Sequence, residues 1–306
     1  MDNHRETILE FHREHRFREN SSIRYPPFCT VYFEKYFYEY IAKAYLEKRI
    51  GPAIYEHYIP VFWTEIQISK RYDDTLANKV RTPDNDFLWK LWGLLSTMSK
   101  QRNYFTVVQH DDGITMSSKP ANLITFAMGG VGNIPLPLTY NDTPEFNTYK
   151  NKDKTVFCSF VGSLTHPCRE HMVRLLENKP GVFIVTNEWT NDIKEENQLL
   201  YLNVMSRSRF TLAPRGYGKT SFRLYEALRL GSVPIYIYDD KWLPYTDKIE
   251  WEKMAVLVHL DELDSLYDKI RGITDEEVTE MVRYYEEHSH LFSYDGMCEY
   301  IINSFS

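Results

Sequence analysis

The chain is poor in cysteine, carries no excess of positive charge and has no long apolar run. Its four cysteines, Cys29, Cys158, Cys168 and Cys298, are scattered over 306 residues without a C-x-x-C pair. That excludes a disulfide framework and the ligand spacing of a structural zinc site. Asp and Glu outnumber Lys and Arg by 43 to 36, for a net charge of −7. The balance argues against bulk binding of nucleic acid or an anionic membrane, while leaving room for a local basic pocket. No stretch approaches the roughly 18 apolar residues of a membrane span. The opening segment, MDNHRETILEFHREHRFREN, is charged and lacks the apolar core of a signal peptide. A soluble cytoplasmic protein without an anchor is the resulting expectation. There is no internal repeat and no low-complexity tract.

What is present is a large supply of core and of rings. Apolar residues make up 43% of the chain and aromatics 15%, with 23 Tyr and 6 Trp, enough to build a sizeable core and clefts that stack sugars or bases. The length suits one large or two medium domains. Beyond a charged lead-in over residues 1–25, the pattern predicts an apolar strand at Tyr58–Trp63, a helical stretch near Phe87–Ser99, and strands at Tyr104–Val108 and Leu123–Ala127. A polar stretch over 139–155 is the best linker. The pattern then restarts, with strands at 156–163 and 181–187, a helix at 168–177, and two closing helices in the tail. Strands alternating with helices on both sides of a linker predict two α/β domains with parallel sheets, at residues 1–145 and 146–306. Ligands in such sheets sit at the carboxyl ends of the strands.

Residues 209–240, RFTLAPRGYGKTSFRLYEALRLGSVPIYIYDD, carry the strongest chemical signal. Phe210–Ala213 reads as a buried strand, ended by Pro214 and Gly216. Thr220 or Ser221 is placed to cap a helix from Phe222 to about Leu230, Gly231 to stop it, and Val233–Tyr238 to form the next strand. A helix N-terminus offers unpaired N–H groups and a partial positive charge to an anion. Arg215, Lys219 and Arg223 add cations around it, and Gly216 and Gly218 allow close backbone approach. Glu226 lies ~7.5 Å along the helix axis from Ser221, a distance suited to a ribose beside a diphosphate. The competing reading pairs Glu226 with Arg223 or Arg229 on a solvated face. GYGKT also imitates the end of a phosphate-binding P-loop, but Ala213 stands where the first glycine belongs, so an NTPase is the weaker alternative.

Other constellations are less specific. Gln109-His110-Asp111-Asp112-Gly113 delivers an imidazole and two carboxylates from a strand into a turn, which suits a general base or ordinary turn chemistry. Gly162 precedes a helix bearing Arg169, which meets a phosphate or stays on the surface. His166, Cys168 and His171 lack a ligand spacing, and no metal site is expected. His12 and His15 read as solvated. GGVGN at 129–133 lacks the third glycine of a dinucleotide fingerprint. Trp242 covers a nucleotide or packs.

SRFTLAPRGYGKTSFRLYEALRLGSVPIYIYDDKWLPY at 208–245 resembles the signature of the exostosin-like glycosyltransferases, family 47. HYIPVFWT at 57–64, FTVVQHDDG at 105–113, GNIPLPL at 132–138 and FVGSLTHPCR at 160–169 are weaker echoes. The resemblance implies a GT-B fold, two Rossmann-like α/β domains facing a central cleft. It implies inverting transfer from a UDP-sugar donor to a glycan acceptor, usually with no essential metal and no further cofactor. By similarity, Arg215, Gly216, Gly218, Thr220, Ser221 and Arg223 hold the diphosphate and Glu226 the ribose. Gly162, Arg169 and Tyr217 complete the donor site. Asp111 or Asp112, with His110 beside them, is the proposed base. Many members of the family are anchored and carry lumenal disulfides; this chain shows neither, which fits a soluble form from a microbe or a large DNA virus. A non-catalytic glycan-binding relative is the alternative.

Overall fold

The computed structural model describes residues 6–10, 29, 31–72, 91, 93–115, 119–141, 143–150, 152–190 and 192–305. Of the expected lead-in only residues 6–10 are described before Cys29, so His12 and His15, like Phe87 to Lys90 of the expected helix, lie outside the described residues. The rest falls into two compact units, the first within 1–22, 31–136 and 297–306, the second within 23–30 and 137–296.

The first unit is built on a parallel three-stranded sheet, β1 (Tyr104–Val108), β2 (Leu123–Ala127) and β3 (Ile134–Pro135), in that order. All five residues of β1 are buried, as expected of a parallel strand covered on both faces. Helices α1 (Phe33–Leu46), α2 (Pro52–His57) and α3 (Trp63–Tyr72) precede it. The apolar run at 58–63 does not become a strand. Tyr58 makes a single parallel bridge to Phe105, Ile59 N–H donates to Phe105 O at 2.8 Å, and Pro60, which has no N–H, ends the ladder. Trp63 then opens α3, its indole held by Thr106 Oγ1 at 3.0 Å. Phe37, Tyr58, Phe105, Phe126 and Phe305 form the aromatic core, with ring centroids 4.5–6.2 Å apart.

The second unit holds β4 (Val156–Ser163), α5 (Pro167–Leu176), β5 (Val182–Asn187), α6 (Glu195–Ser206), β6 (Ser208–Pro214), α7 (Phe222–Arg229), β7 (Val233–Tyr238) and β8 (Val256–His259). Before β4 the stretch 139–155 carries a short helix, α4 (Pro144–Thr148). The five strands are parallel in the order β5-β4-β6-β7-β8. From β4 the chain winds outward to β5, then returns to β6 and winds the other way. The connections therefore part between β4 and β6, the topological switch point at which sheets of this Rossmann-like kind bind ligands. Register sharpens the point. β4 and β6 pair from Val156–Ser208 to Ser159–Thr211 and no further, so their carboxyl ends separate over Phe160–Ser163 and Leu212–Pro214. Phe160, Phe210, Leu212, Ile235, Ile237 and Val258 fill the core, all 0% exposed. The tail closes with α8 (Leu266–Arg271), α9 (Asp275–His288) and α10 (Tyr294–Phe305). The described fold is thus two α/β regions with parallel sheets, consistent with the GT-B class.

Candidate functional site

A cavity of about 150 Å³ opens at the separated ends of β4 and β6, entirely within the second unit. Val161, Gly162 and Ser163 of β4 form one side, and Ser221, Phe222, Arg223 and Glu226 of α7 another. Asn187, Ile193, Asn197, Gln198 and Tyr201, from the end of β5 through α6, form a third. Arg169 lies at the fork. Only 6% exposed, it donates from Nη1 to Ser163 O at 2.8 Å, from Nη2 to Pro214 O at 3.4 Å and from Nε to Arg215 O at 2.9 Å. A buried guanidinium thus ties together the strand ends that no longer pair, and satisfies carbonyls left without a ladder partner.

Arg223 comes from the first turn of α7. Ser221 caps that helix, its side chain accepting from Arg223 N–H at 3.4 Å, and Gly231 stops it at φ +67°. The Arg223 guanidinium is 7% exposed, sits over the rings of Phe160 at 4.6 Å and Tyr201 at 5.5 Å, and donates from Nη2 to Val161 O at 2.8 Å. Its Nε is buried with no partner. A buried charge with an unused donor is costly, and this one lines the cavity. Gly162 has a role beyond close approach of a ligand: a Cβ there would stand 2.4 Å from Arg223 Nη2. A Cβ on Gly216 would stand 3.1 Å from Arg169 Nη2. Neither Gly216 nor Gly218 has a positive φ; what Gly216 provides is room.

Glu226 is 4% exposed, which overturns the solvated-face alternative. Its two oxygens accept from Tyr140 Oη at 2.5 Å and from Tyr201 Oη. A carboxylate has about four acceptor sites, so capacity remains for a ligand hydroxyl. Burial, and then the neighbouring Glu226 charge, push the Tyr140 hydroxyl well above its usual range, keeping it a donor. Arg215 and Lys219 are already engaged. Arg215 Nη1 meets both Asp239 oxygens at 2.6 Å, and Lys219 pairs with Asp240 at 2.5 Å. Burial opposes ionisation of Asp239, yet the Arg215 pair holds its carboxyl below the usual range. Tyr217 is 56% exposed, Thr220 and Gly218 are buried, and Trp242 is buried, its ring under Lys219 Nζ at 5.6 Å. His166 caps α5, its Nδ1 accepting from Cys168 N–H at 3.2 Å. Among the described residues, no group of three or more His, Cys, Asp and Glu is arranged to hold a metal, and no helix is long and apolar enough to cross a membrane.

His110, Asp111 and Asp112 follow β1 in the first unit. Asp112 N–H donates to His110 Nδ1 at 3.2 Å and Gly113 N–H to His110 O at 3.0 Å, with Gly113 at φ +62°. The His110 Nδ1 to Asp112 Oδ2 distance is 3.7 Å. Behind this loop stands Glu34, 1% exposed, which the sequence reading passed over. Burial raises its carboxyl to about 8, against the pull of hydrogen bonds from Thr64 and Gln109. The signal was present: Glu34 shares a stripe with Phe37, Ile41 and Ala44, all buried at helical spacing. Tyr140, Tyr201 and the whole of α6 were also missed. Along α6 the exposed positions gather in the first half and the buried ones, Leu202, Val204, Met205 and Ser206, in the second, so its period is faint.

The family profile described as "Exostosin GT47 domain" matches residues 94–271. A probable glucuronosyltransferase 47 A of Physcomitrium patens is 38% identical over 92 residues, 30% of this chain and 20% of its own length. A probable beta-1,4-xylosyltransferase of Arabidopsis thaliana is 42% identical over 76 residues, 25% of this chain and 18% of its own. A probable glycosyltransferase of the same plant is 27% identical over 134 residues, 42% of this chain and 24% of its own. The matches thus span between about a sixth and a quarter of these relatives' lengths.

Proposed function

Because the chain belongs to the exostosin GT47 family, we propose that it is an inverting glycosyltransferase moving a sugar from a UDP-sugar to a hydroxyl of a glycan acceptor. The donor sugar is xylose or a hexose-type sugar; two of the relatives carry names for glucuronosyl and xylosyl transfer. The observation that carries this reading is the cavity at the β4–β6 fork, with Arg223 on its wall and the N-terminus of α7 beside it. In this reading the diphosphate lies against the first turn of α7, where backbone dipole and guanidinium both favour negative charge. Glu226, one turn along, takes the ribose hydroxyls. Arg215, Gly216, Tyr217, Gly218 and Thr220 shape the loop leading into that turn.

The reaction follows from those assignments. The acceptor oxygen attacks the anomeric carbon from the face opposite UDP. A new C–O bond forms, the bond from that carbon to the β-phosphate oxygen breaks, and UDP leaves with its electron pair. The acceptor proton passes to Asp111 or Asp112, with His110 completing the loop. Arg169 and Arg223 stabilise charge growing on the leaving diphosphate. Such preorganised electrostatics are often the largest catalytic contribution, and they supply counter-charge without a metal. The test is a thermal-shift panel of UDP, GDP, ATP and UDP-sugars, with and without EDTA, followed by transfer assays. UDP and its sugars are expected to stabilise the protein by mass action and Glu226→Ala to weaken that shift. Asp111→Asn or Asp112→Asn is expected to lower turnover by roughly a hundred- to ten-thousand-fold with UDP binding intact. Stabilisation by ATP with magnesium but not by UDP would sink the proposal. UDP binding without transfer to any acceptor would instead make the chain a nucleotide-sugar-binding relative.

A further inference from the structure

The loop that carries the proposed base is pinned from behind, residue by residue. Gln109 N–H donates to Glu34 Oε1 at 2.9 Å. His110 N–H donates to Thr64 Oγ1 at 2.9 Å, and that hydroxyl in turn donates to Glu34 Oε1 at 2.7 Å. Thr64 N–H, in the first turn of α3, meets both Glu34 oxygens at 3.0 and 3.1 Å. The Gln109 side chain returns the contact, accepting from Phe33 N–H at the start of α1 at 2.8 Å. Gln67 Nε2 donates to Gly113 O at the far end of the loop. Gly129, just after β2, passes so close that a Cβ on it would stand 2.4 Å from the Asp111 Cα. Every partner belongs to the first unit.

Resting on the glycosyltransferase reading above, we infer that Glu34, acting through Thr64, is the positioning residue of this reaction. One buried carboxyl gathers the N-termini of α1 and α3 and the exit of β1 onto a single point. The backbone of Gln109 and His110 is thereby fixed, and the next residues, Asp111 and Asp112, leave the anchor in one direction. A general base works only within hydrogen-bond reach of the proton it takes, and a displacement of about 1 Å can cost roughly a hundred-fold in rate. An apolar residue at position 34 would fill the space yet leave three N–H and O–H groups without an acceptor. The acid stands there because the loop has donors to satisfy.

Thr64→Val removes only the hydroxyl, Thr64→Ser keeps it, and Glu34→Leu removes the hub. Amide hydrogen exchange over 109–113, kcat, KM for the UDP-sugar and the UDP-induced thermal shift are measured for each. Thr64→Val is expected to speed exchange at His110 and lower kcat roughly ten-fold or more, with KM and the UDP shift unchanged. Thr64→Ser is expected to restore both, and Glu34→Leu, where it folds, to exceed Thr64→Val. Unchanged exchange in Thr64→Val would overturn the inference. So would wild-type kcat in Thr64→Val alongside an inactive Asp111→Asn or Asp112→Asn, which leaves the transferase reading standing. Full turnover in both Asp variants would remove the base assignment and this inference with it.

Discussion

Both units bury an ionisable hub at the carboxyl end of a parallel sheet, a hydrogen-bond donor in one and an acceptor in the other. In the second unit Arg169 and Arg223 donate to the carbonyls of Ser163, Pro214, Arg215 and Val161. In the first, Glu34 accepts from the amides of Thr64 and Gln109. The difference follows from what each strand end leaves unpaired. Where β4 and β6 diverge, carbonyls lose ladder partners and only a cation with several donors can reach them. Where β1 turns into the His110 loop between two helix starts, the surplus is in N–H groups, and an acceptor is required. The polarity of the hub then sets what the site can hold. The arginine hub has a donor left over, which suits an anion. The carboxyl hub uses its capacity on the backbone.

The largest effect that would sharpen this contrast is on stability against pH. Burial holds the Glu34 carboxyl at about 8, against 4.5 for the free group, with Glu65 as the nearby like charge. Between those values the folded protein keeps a proton that the unfolded chain has released. Stability therefore falls as pH rises from about 4.5 through about 8 and levels off above, by roughly 3–5 kcal/mol over the window. Urea unfolding from pH 5 to 8.5 is expected to show that decline, and Glu34→Gln to flatten it. An equally steep decline in the variant would place its origin elsewhere.

A smaller effect tests the cationic hub. Gly162→Ala puts a methyl where Arg223 Nη2 now lies. The guanidinium must shift, and affinity for UDP is expected to fall roughly ten-fold, the value of one charge-assisted hydrogen bond. Calorimetry with UDP decides it, and unchanged affinity would show that Arg223 does not serve the ligand. The smallest effect is expected of Tyr201→Phe. The ring stays beside Arg223, but Glu226 loses one of its two tyrosine donors. UDP should bind three- to ten-fold more weakly, about 1 kcal/mol, with turnover at saturation unchanged.

How much of this was legible in the sequence depended on whether the controlling contact was local. The strands at 156–163 and 233–238, the cap at Ser221 and the stop at Gly231 were readable because neighbours in sequence decide them. Arg169 and Arg223 were readable as cations near a glycine loop, but their partners were not: Val161 lies 62 residues from Arg223, and no periodicity reports such a distance. The apolar run at 58–63 was misread because Pro60 and the waiting Glu34 decide its fate, and the second of these lies on another helix. Tyr140 and Tyr201 escaped notice for the same reason, since each acquires meaning only where it meets Glu226.

Gly162 on the cavity wall and Gly216 beside Arg169 carry a consequence for any attempt to change what the cavity admits. Each leaves a space that a guanidinium fills, so a saturation library that included these two positions would lose much of its diversity there. The productive targets are Asn187 and Asn197 on the third side, where a changed side chain alters the lining while the fork between β4 and β6 stays braced.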